Sequence, residues 1–547
     1  MPASVATPAA PIGAFAPLGI TIFRWLWIVS TISNIGSWMQ TVGAQWFLIE
    51  EHASPTVIAL VQTAAAAPVL LLAIPAGVIG EFMNRRWLLI VVQAFQTAVA
   101  LALVGLAATG ILTPTLLLAA TFLIGAASAV QLPAYQALIP ELVPTPMVTN
   151  AASLSSIGVN VARAIGPALA GLVIAQAGIP FVFAANAATF ALFLIVLVAW
   201  RGYTAPKVRR EPFVAATRAG LRYVMHAGVV RRMFLQLALF IIPANALWAL
   251  LPVYANDRLG LDSSGYGLLL AALGLGSIGG AFVIPRARDK WGTNRTVMGS
   301  TVLYGAGLAA TTASTTLALT LPILLIVGAA WIGVIATLNG TVQAFLPAWV
   351  RSRGLSIYQL VLFGGTAIGA AVSGALGTAF GSTETLLGAG VVVVAVGLVL
   401  VVAPLHSTLG KDRAVITIPL TDVPPVIGPS GSDEVGTAGL AQDAEEPALV
   451  LVTYTVPTES RAQFLALTKN LERSRRRTGA RTWRIYSPRE NPAVLIEAFT
   501  VGSWREHLEQ HETRSTGYDH EVVTAARALA TGEPTTEHLI AVPRAGR

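Results

Sequence analysis

The chain has 547 residues, of which 54% are hydrophobic and only 11% charged, with a formal net charge of +8 and no cysteine. A soluble globular chain carries about 25% charged residues, so a wholly soluble fold is excluded. With no cysteine, disulfides, thiol catalysis and cysteine metal sites are excluded too. The positive balance reads as loop residues facing the cytoplasm rather than a nucleic-acid surface, because no compact basic-aromatic module occurs.

Residues 1–20 lack a basic n-region and a clear cleavage site, and read as a disordered cytoplasmic leader. A span needs about 20 apolar residues. The segments 22–49, 55–80, 87–108, 112–133, 148–176, 180–200, 233–256, 264–284, 296–313, 317–340, 355–380 and 385–404 meet this, twelve in all. Breakers separate them, among them Asn84-Arg85-Arg86, Thr113-Pro114, Pro140 through Pro146 and Gly178-Ile179-Pro180.

Basic residues gather in alternate loops: Arg85 and Arg86; Arg201, Lys207, Arg209, Arg210, Arg218, Arg222, Arg231 and Arg232; Arg286, Arg288, Lys290 and Arg295; Arg351 and Arg353. The opposite loops hold Arg258 alone, with Glu50, Glu51, Asp257, Asp262 and Glu384. This asymmetry predicts a multi-pass protein of the plasma (inner) membrane with both termini cytoplasmic. The basic loop 201–232 divides the spans into six-helix bundles at 21–200 and 233–405.

The halves echo each other. Gln136-Ala137-Leu138-Ile139-Pro140 after the fourth span matches Gln343-Ala344-Phe345-Leu346-Pro347 after the tenth. Ile165-Gly166-Pro167-Ala168-Leu169-Ala170-Gly171 in the fifth matches Ile368-Gly369-Ala370-Ala371-Val372-Ser373-Gly374 in the eleventh. Such an internal repeat is a recurrent transporter plan, with two halves rocking about a midplane site.

Deep polar residues are the candidate cargo ligands: Asn34, Gln40 and Gln45 on the first span, Asn160 and Arg163 on the fifth, Asn186 on the sixth, Asn245 on the seventh and Asn339 on the tenth. Asn34 and Gln45 share a helix face, as do Asn160 and Arg163. Interhelical hydrogen bonding is the alternative use of each Asn and Gln. Arg163 carries a full charge, which in hydrocarbon costs about 2.5 kcal/mol or more. It either pairs with polar groups as architecture or meets an anionic group of the cargo. Trp38 and Trp46 are candidates to line a cavity, whereas Trp25 and Trp27 read as interfacial anchors.

Residues 406–446, rich in Pro, Gly, Ser, Asp and Thr, read as a flexible linker. The tail, 447–547, follows with strand Leu449–Thr455, helix Thr458–Thr478, strands Arg481–Tyr486 and Val494–Thr500, a helix capped by Ser503 in the box Ser503-Trp504-Arg505-Glu506, helix Tyr518–Ala530 and strand Glu537–Val542. The order βαββααβ predicts a ferredoxin-like sandwich. His507 and His511, at i and i+4, are spaced for a metal, but read as solvated residues of an amphipathic helix. No metal site or cofactor is assigned.

Gly77-Val78-Ile79-Gly80-Glu81-Phe82-Met83-Asn84-Arg85-Arg86 resembles the loop motif of the major facilitator superfamily, with Glu81 for the usual aspartate and Asn84 for the usual glycine. Arg163 through Gly171 resembles the fifth-span motif of its antiporter branch. Phe23-Arg24, Ser33 through Gln40 and Gln45-Trp46 resemble the enterobactin-exporter-like transmembrane secretion effectors. The tail is similar to antibiotic-biosynthesis-monooxygenase domains. The resemblance implies an all-α membrane protein of twelve transmembrane helices in two six-helix repeats, with a small soluble α+β domain at its C-terminus. It also implies a secondary active exporter of a siderophore, drug or antibiotic-like amphipathic metabolite, coupled to protons.

The motifs have separable physical readings. Gly77 and Gly80 permit close helix approach, and Glu81 with Arg85 and Arg86 is placed for a charge clasp. Gly166 and Gly171 permit close packing, and Pro167 removes a backbone hydrogen bond. No Asp or Glu lies well inside a span, so coupling rests on the resemblance alone. A membrane-tethered enzyme, with a monooxygenase-like tail acting on a small aromatic substrate, is the alternative. Otherwise the tail serves as a packing module or a dimerisation surface. The partners are then a small-molecule substrate, protons and the lipid bilayer, without nucleic acid.

Overall fold

The computed structural model describes residues 13–201, 203, 213–405, 415–417 and 446–541, and of residues 73–82, 213–219, 348 and 352 the backbone alone. Within the leader and the linker, residues 1–12, 406–414 and 418–445 lie outside the described residues. The chain forms two compact units. The first comprises Met1–Arg210, Leu235–Leu338 and Gln359–Leu405, and the second comprises Glu211–Phe234, Asn339–Tyr358 and His406–Arg547.

In the first half the helices are α1 (Thr21–Glu50), α2 (Pro55–Phe82), α3 (Arg85–Ala108), α4 (Pro114–Leu142), α5 (Val148–Ala177) and α6 (Ile179–Ala199). The short amphipathic α7 (Phe213–His226) precedes α8 (Gly228–Asp257), α9 (Ser263–Ala313), α10 (Leu317–Phe345), α11 (Ala348–Phe380) and α12 (Ser382–Val402). Among the described residues, ten helices are long and apolar enough to cross a membrane. Two features separate this number from twelve. The predicted spans 264–284 and 296–313 join end to end as α9, broken at Gly292, whose φ of 79° suits a residue without Cβ. The other is α1, which is outside the ten because Ser30, Thr31, Ser33, Asn34, Ser37, Gln40, Thr41 and Gln45 dilute its apolar surface.

Helix α4 also runs past its predicted end at 133, through Pro133 and Pro140. Each proline costs one backbone donor, a loss that packed membrane helices accommodate. Asn84 has a local role that a glycine in its place would lack. Its Oδ1 caps α3, accepting from the Arg86 and Trp87 amides at 3.0 and 3.3 Å. Large apolar side chains such as Phe181, Phe282 and Val402 are 62–87% exposed, as a lipid-facing belt requires.

The tail forms β1 (Ala448–Thr455), α13 (Thr458–Thr478), β2 (Thr482–Tyr486), β3 (Val494–Val501), α14 (Trp504–Glu509), α15 (Gly517–Arg527) and β4 (Thr535–Ile540). The antiparallel sheet has the order β2-β3-β1-β4, the ferredoxin-like arrangement expected. Val450, Val452, Leu495, Phe499 and Val501 bury one sheet face against Phe464 and Leu471 of α13 and Trp504 of α14. Ser503 does cap α14, its Oγ accepting from the Glu506 amide. The return bond differs from the predicted box, because the Glu506 carboxylate accepts from the Gly502 amide at 3.0 Å. A full capping box instead opens α15, between Thr516 and Asp519.

Candidate functional site

The site is built where the two halves touch within the first unit. Among the described residues, two glycine-lined seams do this, and they match in the repeat. On α5, a Cβ added at Gly171 would sit 2.5 Å from the Ser263 carbonyl of α9, and one at Gly267 would sit 2.7 Å from the Pro167 carbonyl. On α11, a Cβ at Gly374 would sit 2.5 Å from Ala59 Cβ of α2. Gly171 and Gly374 occupy equivalent places in the two copies of the motif. Thr56 and Thr63 of α2 donate their hydroxyls to the Gly374 and Ala367 carbonyls, each at 3.1 Å. Both seams lie toward the α1–α2, α8–α9 and α11–α12 turns, which is the predicted outer face.

Beside the α5 seam, Gln45 of α1 bridges to the second half. Its Nε2 donates to the Trp248 carbonyl at 3.1 Å, and its Oε1 accepts from the Tyr266 hydroxyl at 2.7 Å. Trp46 stacks on Tyr266 with centroids 6.0 Å apart. Deeper, an aromatic chain runs from Trp38 of α1 to Trp248 of α8 at 5.7 Å and on to Trp331 of α10 at 5.8 Å. The Arg163 guanidinium lies 5.9 Å from the Trp38 ring centre. Among the described residues no carboxylate pairs with it. One turn apart on α8, Asn245 Oδ1 and Trp248 Nε1 are buried without a hydrogen-bond partner among the described residues.

The remaining candidates are distributed differently. Gln40 accepts from Asn186, tying α1 to α6. Asn34 and Asn160 donate to the carbonyls of Ser30 and Ser156 in their own helices, at 2.7 and 2.9 Å. Asn339 accepts from Gln343, one turn further on α10. Gly166 and Pro167 are buried in α5, and a Cβ at Gly166 would lie 2.7 Å from Trp38 Cβ. Of the loop motif, only the backbone of Gly77, Gly80 and Glu81 is described, so the Glu81 side chain and the surroundings of both glycines lie outside the described residues. Arg85 pairs with Glu141 of α4, which also accepts from the Tyr203 hydroxyl at 2.6 Å. Arg86 donates to the Leu197 and Val198 carbonyls at the end of α6, at 3.0 Å each. Both arginines thus hold helices of the first half together.

Sequence reasoning missed Tyr266, Trp248, Trp331 and Glu141. Only Glu141 left a signal, as an acid beside Pro140 at the basic face. In the tail, His507 is buried rather than solvated, at 1% exposure. It faces the sheet among Phe499, Trp504, His511 and His538. Its Nδ1 meets Gln510 Oε1 at 3.0 Å, so Nδ1 carries the proton, and among the described residues Nε2 has no partner. Burial, then His511, pushes its pKa down to about 3. Among the described residues no group of three or more metal-ligating side chains forms a site.

Paired six-helix halves, touching through matched seams around polar and aromatic side chains, define a membrane transporter of the major facilitator fold. The fold is shared with the nucleoside transporter NupG (TM-score 0.54, 13% identity, 71% of this chain and 100% of that one). It is also shared with an inward-facing, unoccupied bacterial homologue of the human lysosomal transporter Spinster (TM-score 0.55, 15% identity, 70% and 94%). The chain belongs to the transmembrane secretion effector family, whose pattern it matches over residues 12–546. It is 26% identical over 291 residues to the staphyloferrin A transporter of Staphylococcus aureus (strain NCTC 8325 / PS 47), covering 52% of this chain and 72% of that protein. It is 29% identical over 168 residues to the uncharacterized MFS-type transporter YfiS of Bacillus subtilis (strain 168), covering 30% and 39%.

Proposed function

We propose that this transporter exports a medium-sized amphipathic metabolite of the siderophore or antibiotic-like class by alternating access, driven by protons. It would sit in the plasma membrane with both termini cytoplasmic. In this reading the bundles 21–200 and 233–405 rock against each other, and the basic loop 201–232 joins them. The observation that carries it is Arg163, a mid-span cation against the Trp38 ring, beside a second-half face with unpaired Asn245 and Trp248 atoms. A cargo with an anionic group, an aromatic surface and hydrogen-bonding edges would satisfy all of these at once. The siderophore class is supported by the named substrate of the Staphylococcus aureus relative. With the seams engaged toward the predicted outer face, cargo would enter from the cytoplasmic side. The tail's most buried carboxylate, Glu497, is fully engaged by Arg475, Trp483 and Tyr454, which favours a structural over an enzymatic tail.

The test compares metabolites retained by cells lacking the protein, then measures flux of the retained compound in inside-out vesicles with an imposed proton gradient. Gradient-dependent uptake, lost at least tenfold in Arg163→Ala and partly kept in Arg163→Lys, is expected. No flux in sealed vesicles, or full flux in Arg163→Ala, would sink the reading.

A further inference from the structure

Within the second unit, the tail packs on two cytoplasm-predicted stretches of the membrane half: α7, and the start of α11. The centre of the contact is Glu506 of α14. It pairs with Arg222 of α7 and, at 3.1 Å, with Arg514, which follows α14. The Arg514 guanidinium also lies over the Trp349 ring of α11, 5.1 Å from its centre. Tyr223 of α7, 2% exposed, meets the same ring edge-on at 5.7 Å. The contacts therefore close a ring: α7 to tail, tail to α11, and α11 back to α7. Between α7 and α11 there is little slack, since a Cβ at Gly220 would come within 2.7 Å of Arg353 Cβ. The side chains of Arg222 and Glu506 are only 18% and 15% exposed. Burial pushes the Glu506 carboxyl up, but Arg222 and Arg514 outweigh it and hold it below the usual range.

We propose that the C-terminal domain is a strap that holds the linker helix α7 against the start of α11 and so restrains the relative motion of the two halves. Helix α7 lies in the only covalent connection between α6, which ends the first half, and α8, which begins the second. The start of α11 belongs to the second half. A strap across these two elements ties the connection to one half, so the other cannot move away freely on that side. This inference rests on the alternating-access reading for its consequence, but not for its contact geometry.

The test uses the full chain in detergent or nanodiscs. Hydrogen exchange is followed at residues 220–227 and at 448–455 of β1. Arg222→Glu, which breaks the strap from the ion pair, and Gly220→Leu, which pushes α7 off α11, should each speed exchange at 220–227 at least tenfold. Protection at 448–455 should hold, and Arg484→Glu, a charge reversal on the exposed sheet face, should change neither. Unchanged exchange at 220–227 in both variants would overturn the strap. Because the chain has no native cysteine, spin labels at Ser153→Cys and Lys290→Cys report the separation of the halves. A distance distribution broader in Arg222→Glu than in the parent is expected. A freed α7 with an unchanged distribution would overturn the restraint. Neither readout needs a cargo, so failure of the export reading would appear separately, in the vesicle assay.

Discussion

The membrane helices and the tail lean on different means of satisfying buried polar groups. In α1 the side chains bond back to their own helix: Asn34 to Ser30, Ser37 to Ser33 and Thr41 to Ser37, at 2.7–3.0 Å. Where the halves meet, backbone approaches backbone at small residues. In the tail, ionic hubs do the work. Glu497, fully buried, gathers Arg475, Trp483 and Tyr454, and Asp519 gathers Arg477, Ser474 and Thr516. The reason is the solvent. Between helices in lipid there is little hydrophobic drive and isolated charge is expensive, so small residues and local hydrogen bonds prevail. In water a paired charge can be buried, but breaking the pair is costly. A seam of shallow contacts can part and re-form, whereas an ionic hub locks.

The largest expected effect breaks a hub. Glu497→Ala leaves Arg475 buried without its carboxylate, and should cost the tail about 3–5 kcal/mol. Denaturant unfolding followed by limited proteolysis of the tail would measure it. A loss under about 1 kcal/mol would mean that the hub is dispensable and the contrast between the regions false. Next, the seams should respond alike because they are copies. Gly171→Leu and Gly374→Leu overpack equivalent positions, each by about 1–3 kcal/mol. Each should speed labelling of a cysteine at Ser263 or Thr56 respectively by an impermeant maleimide. If only one of the pair responds, the twofold equivalence fails.

The third prediction concerns pH. His507 titrates near 6.5 when unfolded and near 3 when folded, so between these values the unfolded tail binds more protons. Its contribution to stability is complete above about pH 6.5 and falls with acid, at most about 1.4 kcal/mol per pH unit. His507→Gln should flatten the slope between pH 6.5 and 4 in tail unfolding, and a slope equal to that of the parent would return His507 to the solvated role that its amphipathic helix suggested.

The same contrast explains what the sequence disclosed. Spans and the α5–α11 repeat are written locally, in runs and motifs, because hydrocarbon imposes length and composition on each helix separately. The tail's strands and helices followed from alternation and capping residues, which are likewise written within short stretches of chain. Partnerships are not local. Nothing near Arg85 points to Glu141, 56 positions on, and nothing near Gln45 points to Tyr266. Deep polarity marked Asn34 and Asn160 as candidates, yet the i−4 carbonyl satisfies both more cheaply than a neighbour would. His507 was misread because its helix is short, and one turn of amphipathic pattern does not say which face meets the sheet.

The smallest expected effect sharpens the contrast at one hydroxyl. Tyr266→Phe keeps the ring that stacks on Trp46 but removes the O–H donated to Gln45. A single neutral hydrogen bond is worth about 1 kcal/mol net, which is about a fivefold change in an equilibrium. If the Gln45–Tyr266 bond holds the halves together at the predicted outer face, the variant should speed maleimide labelling of Ser263→Cys by about that factor. Ser263 is buried and its hydroxyl reaches only weakly to the Gly171 carbonyl, at 3.4 Å, so the cysteine itself disturbs the seam little. In Gln45→Glu the new carboxylate can accept the same bond, but its Nε2 bond to Trp248 is lost, so that variant separates the two arms of the bridge. Faster labelling in Tyr266→Phe alone assigns the closure to the hydroxyl, and faster labelling in Gln45→Glu alone assigns it to the Trp248 carbonyl. Parent-like labelling in both would leave the glycine contacts holding the outer face by themselves.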